Sequence, residues 1–171
     1  IEFYKDGSFS VEPLLINLDR KKVLNDNLML FFTGVSRFSS EVAKSQIENM
    51  DNCVSQMHEL YEIAEEGASI LTRPNVPIEE FGKLLDKAWL NKRSLSNKIS
   101  NNSIDNLYET AIKSGAIGGK VLGAGGGGFI LFFVKPENQE KVKKALSKLT
   151  YVPFKFENTG SKVVVHQPNG F

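Results

Sequence analysis

The chain has a single cysteine, Cys53, so no disulfide can close within it. That excludes a disulfide-stapled scaffold and predicts a reducing, cytoplasmic setting. Long apolar runs are missing as well. The longest, Phe129 to Val134, is six residues, against the roughly 20 that a membrane-spanning helix needs. No basic-then-apolar stretch opens the sequence, so neither a secretory leader nor a membrane partner is expected. There is no excess of charge of one sign. Lys and Arg number 21 and Asp and Glu 20, a net charge of +1, which argues against a nucleic-acid partner. The two histidines, His58 and His166, lie far apart and lack flanking cysteine or carboxylate motifs, so neither a metal centre nor a triad is expected. What is present is a globular composition, 41% hydrophobic and 24% charged over 171 residues, which fits one domain spanning 1–171. The first residue is Ile1 and not Met, which predicts an excised or processed segment.

Period-2 spacing of Phe9, Val11, Pro13 and Leu15 predicts a strand, and Leu28 to Thr33 reads as a strand buried on both faces. Between them, Asp19 to Asn27 reads as polar turn material. Met50, Val54, Met57, Tyr61, Ala64, Ala68 and Leu71 then recur at spacings of 3 and 4. This predicts a helix beginning near Ser39 or Ser40, with the stripe in the core rather than on a partner-binding face. Pro77, Glu79 and Glu80 open a further helix that closes on Lys92 and Arg93. Ser94 to Ser103 reads as a loop, Ser103 opens a short helix, and Gly115 stands where a left-handed cap belongs. Phe129 to Val134 is a buried strand, Pro136 starts a lysine-rich helix with a solvated face, and Val152 to Phe156 alternates like a half-buried strand. Val163 to Val165 is a candidate last strand. Strands at both ends with helices between them predict an α+β sandwich with a mainly antiparallel sheet.

Seven of the 14 glycines lie between Gly118 and Gly128. Such density is entropically costly unless the backbone needs positive φ or close approach. Two readings stay open: a tight hairpin packed closely, and a loop whose bare N–H groups face a phosphate. Gly123-x-Gly125-x-x-Gly128 formally matches the dinucleotide fingerprint, but that motif must open a helix and here a strand follows. The Walker pattern fails because no Ser or Thr follows the glycines. Strand–loop–strand is the expected geometry.

The run Lys120-Val-Leu-Gly-Ala-Gly-Gly-Gly-Gly-Phe129 resembles the third signature motif of the GHMP kinases. Leu30-Phe-Phe-Thr-Gly-Val-Ser-Arg37, Ala88-Trp-Leu-Asn-Lys-Arg-Ser-Leu95 and Ala111-Ile-Lys-Ser-Gly-Ala-Ile-Gly-Gly-Lys120 resemble one branch, the D-glycero-D-manno-heptose 7-phosphate kinases and related sugar kinases. The resemblance implies a ferredoxin-like C-terminal domain of a kinase that uses ATP and Mg²⁺ on a sugar phosphate. It departs from the family in one respect. The Pro-x-x-x-Gly-Leu-Gly-Ser-Ser loop that wraps ATP is missing, and the branch's catalytic Asp lies ahead of a segment like Ile1-Glu-Phe-Tyr-Lys5. Both are therefore expected upstream, in a missing N-terminal kinase domain, and no catalytic residue is expected in this chain.

From the family's third motif, Gly123, Gly125, Gly126 and Gly127 are carried over as phosphate-adjacent positions. Arg37 is either a bidentate clamp for a sugar phosphate or a surface ion pair. Lys92, Arg93 and Lys98 are either ligands for that phosphate or cations attracted by a helix C-terminus. Lys120 borders the loop. The rival readings are a non-catalytic metabolite-binding or regulatory module and an RNA-binding sheet. Against the latter, Phe31-Phe32 and Phe132-Phe133 read as core and not as a stacking platform. A homo-oligomer stays open.

Overall fold

The computed structural model describes residues 1–35, 39–161, 163 and 165. A short ribbon, β1 (Glu2–Phe3) and β2 (Phe9–Ser10), precedes α1 (Leu18–Asp26) and β3 (Leu28–Phe32). Then come α2 (Ser39–Glu48), a 3-10 turn (Met50–Cys53), α3 (Val54–Thr72), α4 (Glu79–Ser94) and α5 (Asn102–Lys113). The chain finishes with β4 (Ala116–Val121), β5 (Phe129–Val134), α6 (Pro136–Ala145) and β6 (Thr150–Val152).

The main sheet runs β4-β5-β3-β6 and is antiparallel throughout. Its register is set by Leu28↔Phe133 through Phe32↔Phe129 between β3 and β5. Strand, helices, two strands, helix, strand, with the first and third strands in the middle, is the ferredoxin-like arrangement. Adjacent residues separate onto opposite faces. Met29, Phe31 and Phe132 join Trp89, Ile104, Tyr108 and Val142, whereas Leu28 and Phe133 join Leu24. The sheet is therefore covered on both sides, as its unalternating sequence predicts. Phe31, Phe132 and Phe133 are core, and only Phe32 reaches solvent, at 37%.

Helix ends follow their caps. The Asn101 side chain accepts from the Ile104 N–H at 3.1 Å and opens α5, two residues before the serine expected to do so. Gly115 has φ +111° just past its end. The α4 helix begins two residues after Pro77, with Glu79 and Glu80 in its first turn and Lys92 and Arg93 in its last.

Four expectations are corrected. Asp19 to Asn27 is not a turn; it belongs almost wholly to α1. The Asn17 side chain caps this helix by accepting from the Asp19 N–H, and Leu24 is its buried anchor. With one buried residue it shows no apolar stripe, and its support is tertiary. Arg20 donates to the carbonyls of Leu71, Ile70 and Val76 at 3.0, 2.6 and 2.8 Å, satisfying the end of α3 and the turn after it. Arg20→Ala is expected to lower stability by about 2–3 kcal/mol, read from urea unfolding, because charge-assisted hydrogen bonds are lost together.

Second, the Phe9–Leu15 strand shrinks to Phe9–Ser10, and Val11 and Leu15 are exposed. Third, the long helix breaks at Asn49, and its stripe is not core. Met50, Val54, Met57 and Tyr61 are exposed, whereas α3 buries Ile63, Gly67 and Ile70. The helix has two apolar faces, and periodicity does not say which one finds α4. Fourth, β6 ends at Val152. Beyond it Phe154 packs beneath the sheet, and the Phe156 N–H donates to Asn25 Oδ1 at 3.0 Å. A strand over 163–165 would rest on Val164, which lies outside the described residues.

Candidate phosphate-facing site

The seven residues from Leu122 to Gly128 join β4 to β5, so the glycine run is a hairpin and not a strand–loop–helix turn. The Leu122 N–H donates to the Phe129 carbonyl at 2.8 Å and closes its base. Three other parts of the chain then hold the loop. The Gly126 N–H donates to the Ile99 carbonyl, and the Gly128 N–H to the Val35 carbonyl, both at 2.8 Å. The Gly128 carbonyl accepts from the Thr33 N–H and hydroxyl at 2.8 and 2.9 Å, and the Ala124 carbonyl from Gln46 Nε2 at 3.0 Å. At two of its glycines the packing leaves no room for a side chain. A Cβ on Gly125 would lie 2.7 Å from the Ile99 carbonyl oxygen, and one on Gly127 2.6 Å from that of Val35.

The tight-hairpin reading is thus correct, and it does not exhaust the loop. The N–H groups of Gly123, Gly125 and Gly127 meet no acceptor among the described residues, although Gly127 is buried. Backbone donors without a protein acceptor in one short loop suit an anion.

Lys92 closes one side of this loop. Its ammonium, on the last turn of α4, donates to the Gly123 carbonyl. It also borders an apolar cavity of about 310 Å³ walled by Ile47, Met50, Met57 and Leu60. Burial, with the charge of Lys120 second, pushes the Lys92 ammonium down to about 8, and burial also lowers Lys120. The sign of the stability effect follows. Above pH 8 the folded chain releases a proton that the unfolded chain still holds up to the ordinary lysine range, so stability rises with pH there. Unfolding free energy measured by urea titration should climb from pH 8 toward the tyrosine range, and Lys92→Met should flatten that climb.

The other expected residues spread out. Arg93 is engaged by Asp105, at 3.1 Å, and Asp105 also accepts from the Ser100 hydroxyl at 2.6 Å. Together with Ser96 and Asn101 they line a polar cavity of about 610 Å³ on the loop that carries Ile99. Lys98 is exposed on the same loop. Arg37 and His166 lie outside the described residues, and His58 is exposed on α3. The Tyr108 hydroxyl donates to Asp86 Oδ1 at 2.5 Å, which ties α5 to α4 beneath the hairpin. Burial holds that hydroxyl protonated. Thr33, Gln46 and the backbone of Ile99 escape a reading by motif, because their contribution is to hold the loop from distant parts of the chain.

Residues 75–152 match the family described as GHMP kinases C terminal, a stretch that contains α4, α5, the hairpin and β6. Residues 75–152 form a GHMP kinase C-terminal domain. The likeness extends beyond that domain. Over 150 residues the chain is 31% identical to D-glycero-alpha-D-manno-heptose 7-phosphate kinase of Campylobacter jejuni, covering 86% of this chain and 44% of the relative. It is 32% identical over 143 residues to the bifunctional fucokinase/GDP-fucose pyrophosphorylase of Arabidopsis thaliana, covering 81% and 13%. Among solved structures, a putative sugar kinase from Campylobacter jejuni aligns with TM-score 0.64 and 27% identity over 92% of this chain and 42% of the other. A D-glycero-D-manno-heptose 1-phosphate kinase from Bacteroides thetaiotaomicron shares the fold at TM-score 0.63, with 24% identity over 90% and 40%. The GHMP kinase domain and its flanks thus span less than half the length of each of these relatives.

Proposed function

We propose that this chain is the substrate-side half of an ATP-dependent sugar kinase that phosphorylates a heptose 7-phosphate or a similar sugar at a hydroxyl. The observation that carries the reading is the hairpin. It is a loop pinned by hydrogen bonds, whose Gly123, Gly125 and Gly127 N–H groups meet no acceptor among the described residues, with the Lys92 ammonium at its edge. Phosphoryl transfer depends on positioning and charge neutralisation more than on covalent chemistry, and such a loop supplies both on one wall of a cleft. The sugar kinases among the relatives support the substrate class. The ATP-phosphate loop and the group that orients the acceptor hydroxyl belong to a second domain outside this sequence.

Mg²⁺ in phosphoryl transfer is held by the phosphates with one or two carboxylates, and no all-protein cage for it stands among the described residues. Among them no group of three or more His, Cys, Asp and Glu side chains could hold a metal ion. A divalent ion in the complete protein is therefore assigned to the nucleotide and the second domain. The test is a panel of sugar phosphates with the complete protein, ATP and Mg²⁺, scored by ADP release. Heptose 7-phosphate should lead the panel, and the absence of turnover with any sugar would overturn the reading.

A further inference from the structure

Several cations of this molecule are engaged by other protein groups. Arg93, Lys87 and Lys135 each face a carboxylate, Asp105, Glu59 and Glu79 respectively. Arg20 is surrounded by three carbonyls. Lys92 and Lys120 are different. Both are half-buried, and neither meets a carboxylate among the described residues. Among the described residues Lys92 has one neutral partner, the Gly123 carbonyl, and Lys120 has no hydrogen-bond partner. Lys120 shares with Gly118 the face of β4 that meets α4, and its charge lowers Lys92. Two partly desolvated like charges that bear on one another are unfavourable, and an anion between them relieves the cost.

Their placement in the fold is deliberate on both sides. Lys120 lies two positions before the hairpin on β4, and Lys92 closes the last turn of α4. These elements are brought close by glycine, since a Cβ on Gly118 would collide with the Gly82 carbonyl and crowd the Asp86 backbone. An ammonium has three donors, so Lys92 keeps two free beside its bond to Gly123, and Lys120 keeps all three. The unpaired N–H groups of Gly123 and Gly125 are on the loop that both lysines border.

We propose that Lys92 and Lys120 form one phosphate-binding site at the foot of the glycine hairpin, bridged by a phosphate dianion. This rests on reading the hairpin as phosphate-facing, and it adds the pair of cations, Lys120 above all, that neutralises the ligand. The phosphate belongs either to a nucleotide or to a sugar, and the two sources share this chemistry.

The test is lysine acylation of the 171-residue chain near pH 8, read site by site by mass spectrometry with inorganic phosphate as the probe. Phosphate should slow acylation of Lys92 and Lys120 together by about tenfold, as loss of charge-assisted contacts implies. Lys44 and Lys113, exposed on α2 and α5, should be unaffected, and sodium chloride of equal ionic strength should protect neither pair. Lys120→Met should weaken the protection of Lys92 about tenfold, and Lys120→Arg should restore much of it. Parallel arms with ADP and with a hexose 6-phosphate assign the source, as the one protecting at the lower concentration. No protection, or equal protection of Lys44 and Lys113, would overturn the site, and the wild-type measurement decides this even if a variant fails to fold. Kinase turnover of the complete protein is read separately. Protection without turnover would keep the site and sink the kinase reading, and turnover without protection would do the reverse.

Discussion

Gly126→Val in the complete enzyme is expected to lower turnover by about a hundredfold or more, while the protein still folds. Gly126 has φ +78°, where a β-branched residue is strained by about 1–2 kcal/mol. Its N–H is one of the bonds that fix the loop, donated to the Ile99 carbonyl. Relieving the strain rotates the backbone, breaks that bond and shifts the neighbouring donors of Gly125 and Gly127. A misplacement of about 1 Å in a positioning group can cost about a hundredfold in rate. Gly160→Val is the control, because a Cβ there meets nothing within 4 Å. The readout is steady-state kinetics beside a thermal melt. Unchanged kcat and KM in a folded Gly126→Val protein would show that the hairpin is remote from the chemistry.

The 171-residue chain alone is expected to release no ADP above background from ATP, Mg²⁺ and a sugar phosphate. Transfer needs a cradle for the ATP phosphates and a group that orients or deprotonates the acceptor hydroxyl. The carboxylates here are poorly placed for that work. Asp105 is engaged by Arg93 and Ser100, and Asp51, Glu65 and Glu66 are exposed. Positioning between two walls is worth about 7–11 kcal/mol of barrier, and one wall retains little of it. The same chain exposes Met50, Val54, Met57 and Tyr61 along one helical face, which favours weak self-association. Sugar-dependent ADP release above a heat-treated control would mean that a complete active site is present here.

Much of this was legible because it is local. A strand of FILFFV after the glycines dictates a hairpin, since six apolar residues without helical spacing have to pair. Gly115 marks the end of α5 because an L side chain resists its φ. The glycine density of 118–128 signals close packing, and the hairpin bears that out at Gly118, Gly125 and Gly127.

What tertiary structure decided is which surfaces met. The α1 segment DRKKVLND has almost no apolar stripe, and its helix stands because Arg20 reaches the carbonyls of a helix about 50 residues away. The Met50–Tyr61 stripe has sound periodicity, yet the Ile63–Ile70 face won the contact with α4, because burial goes to the face that a partner covers. Lys120 looked like a bystander in the sequence. It became a candidate ligand only when the chain folded α4 against β4, which puts Lys120 on the face of the strand that meets the helix carrying Lys92. Periodicity, caps and glycine preference follow from near neighbours along the chain. Burial and the pairing of charge depend on neighbours that only the folded chain brings together.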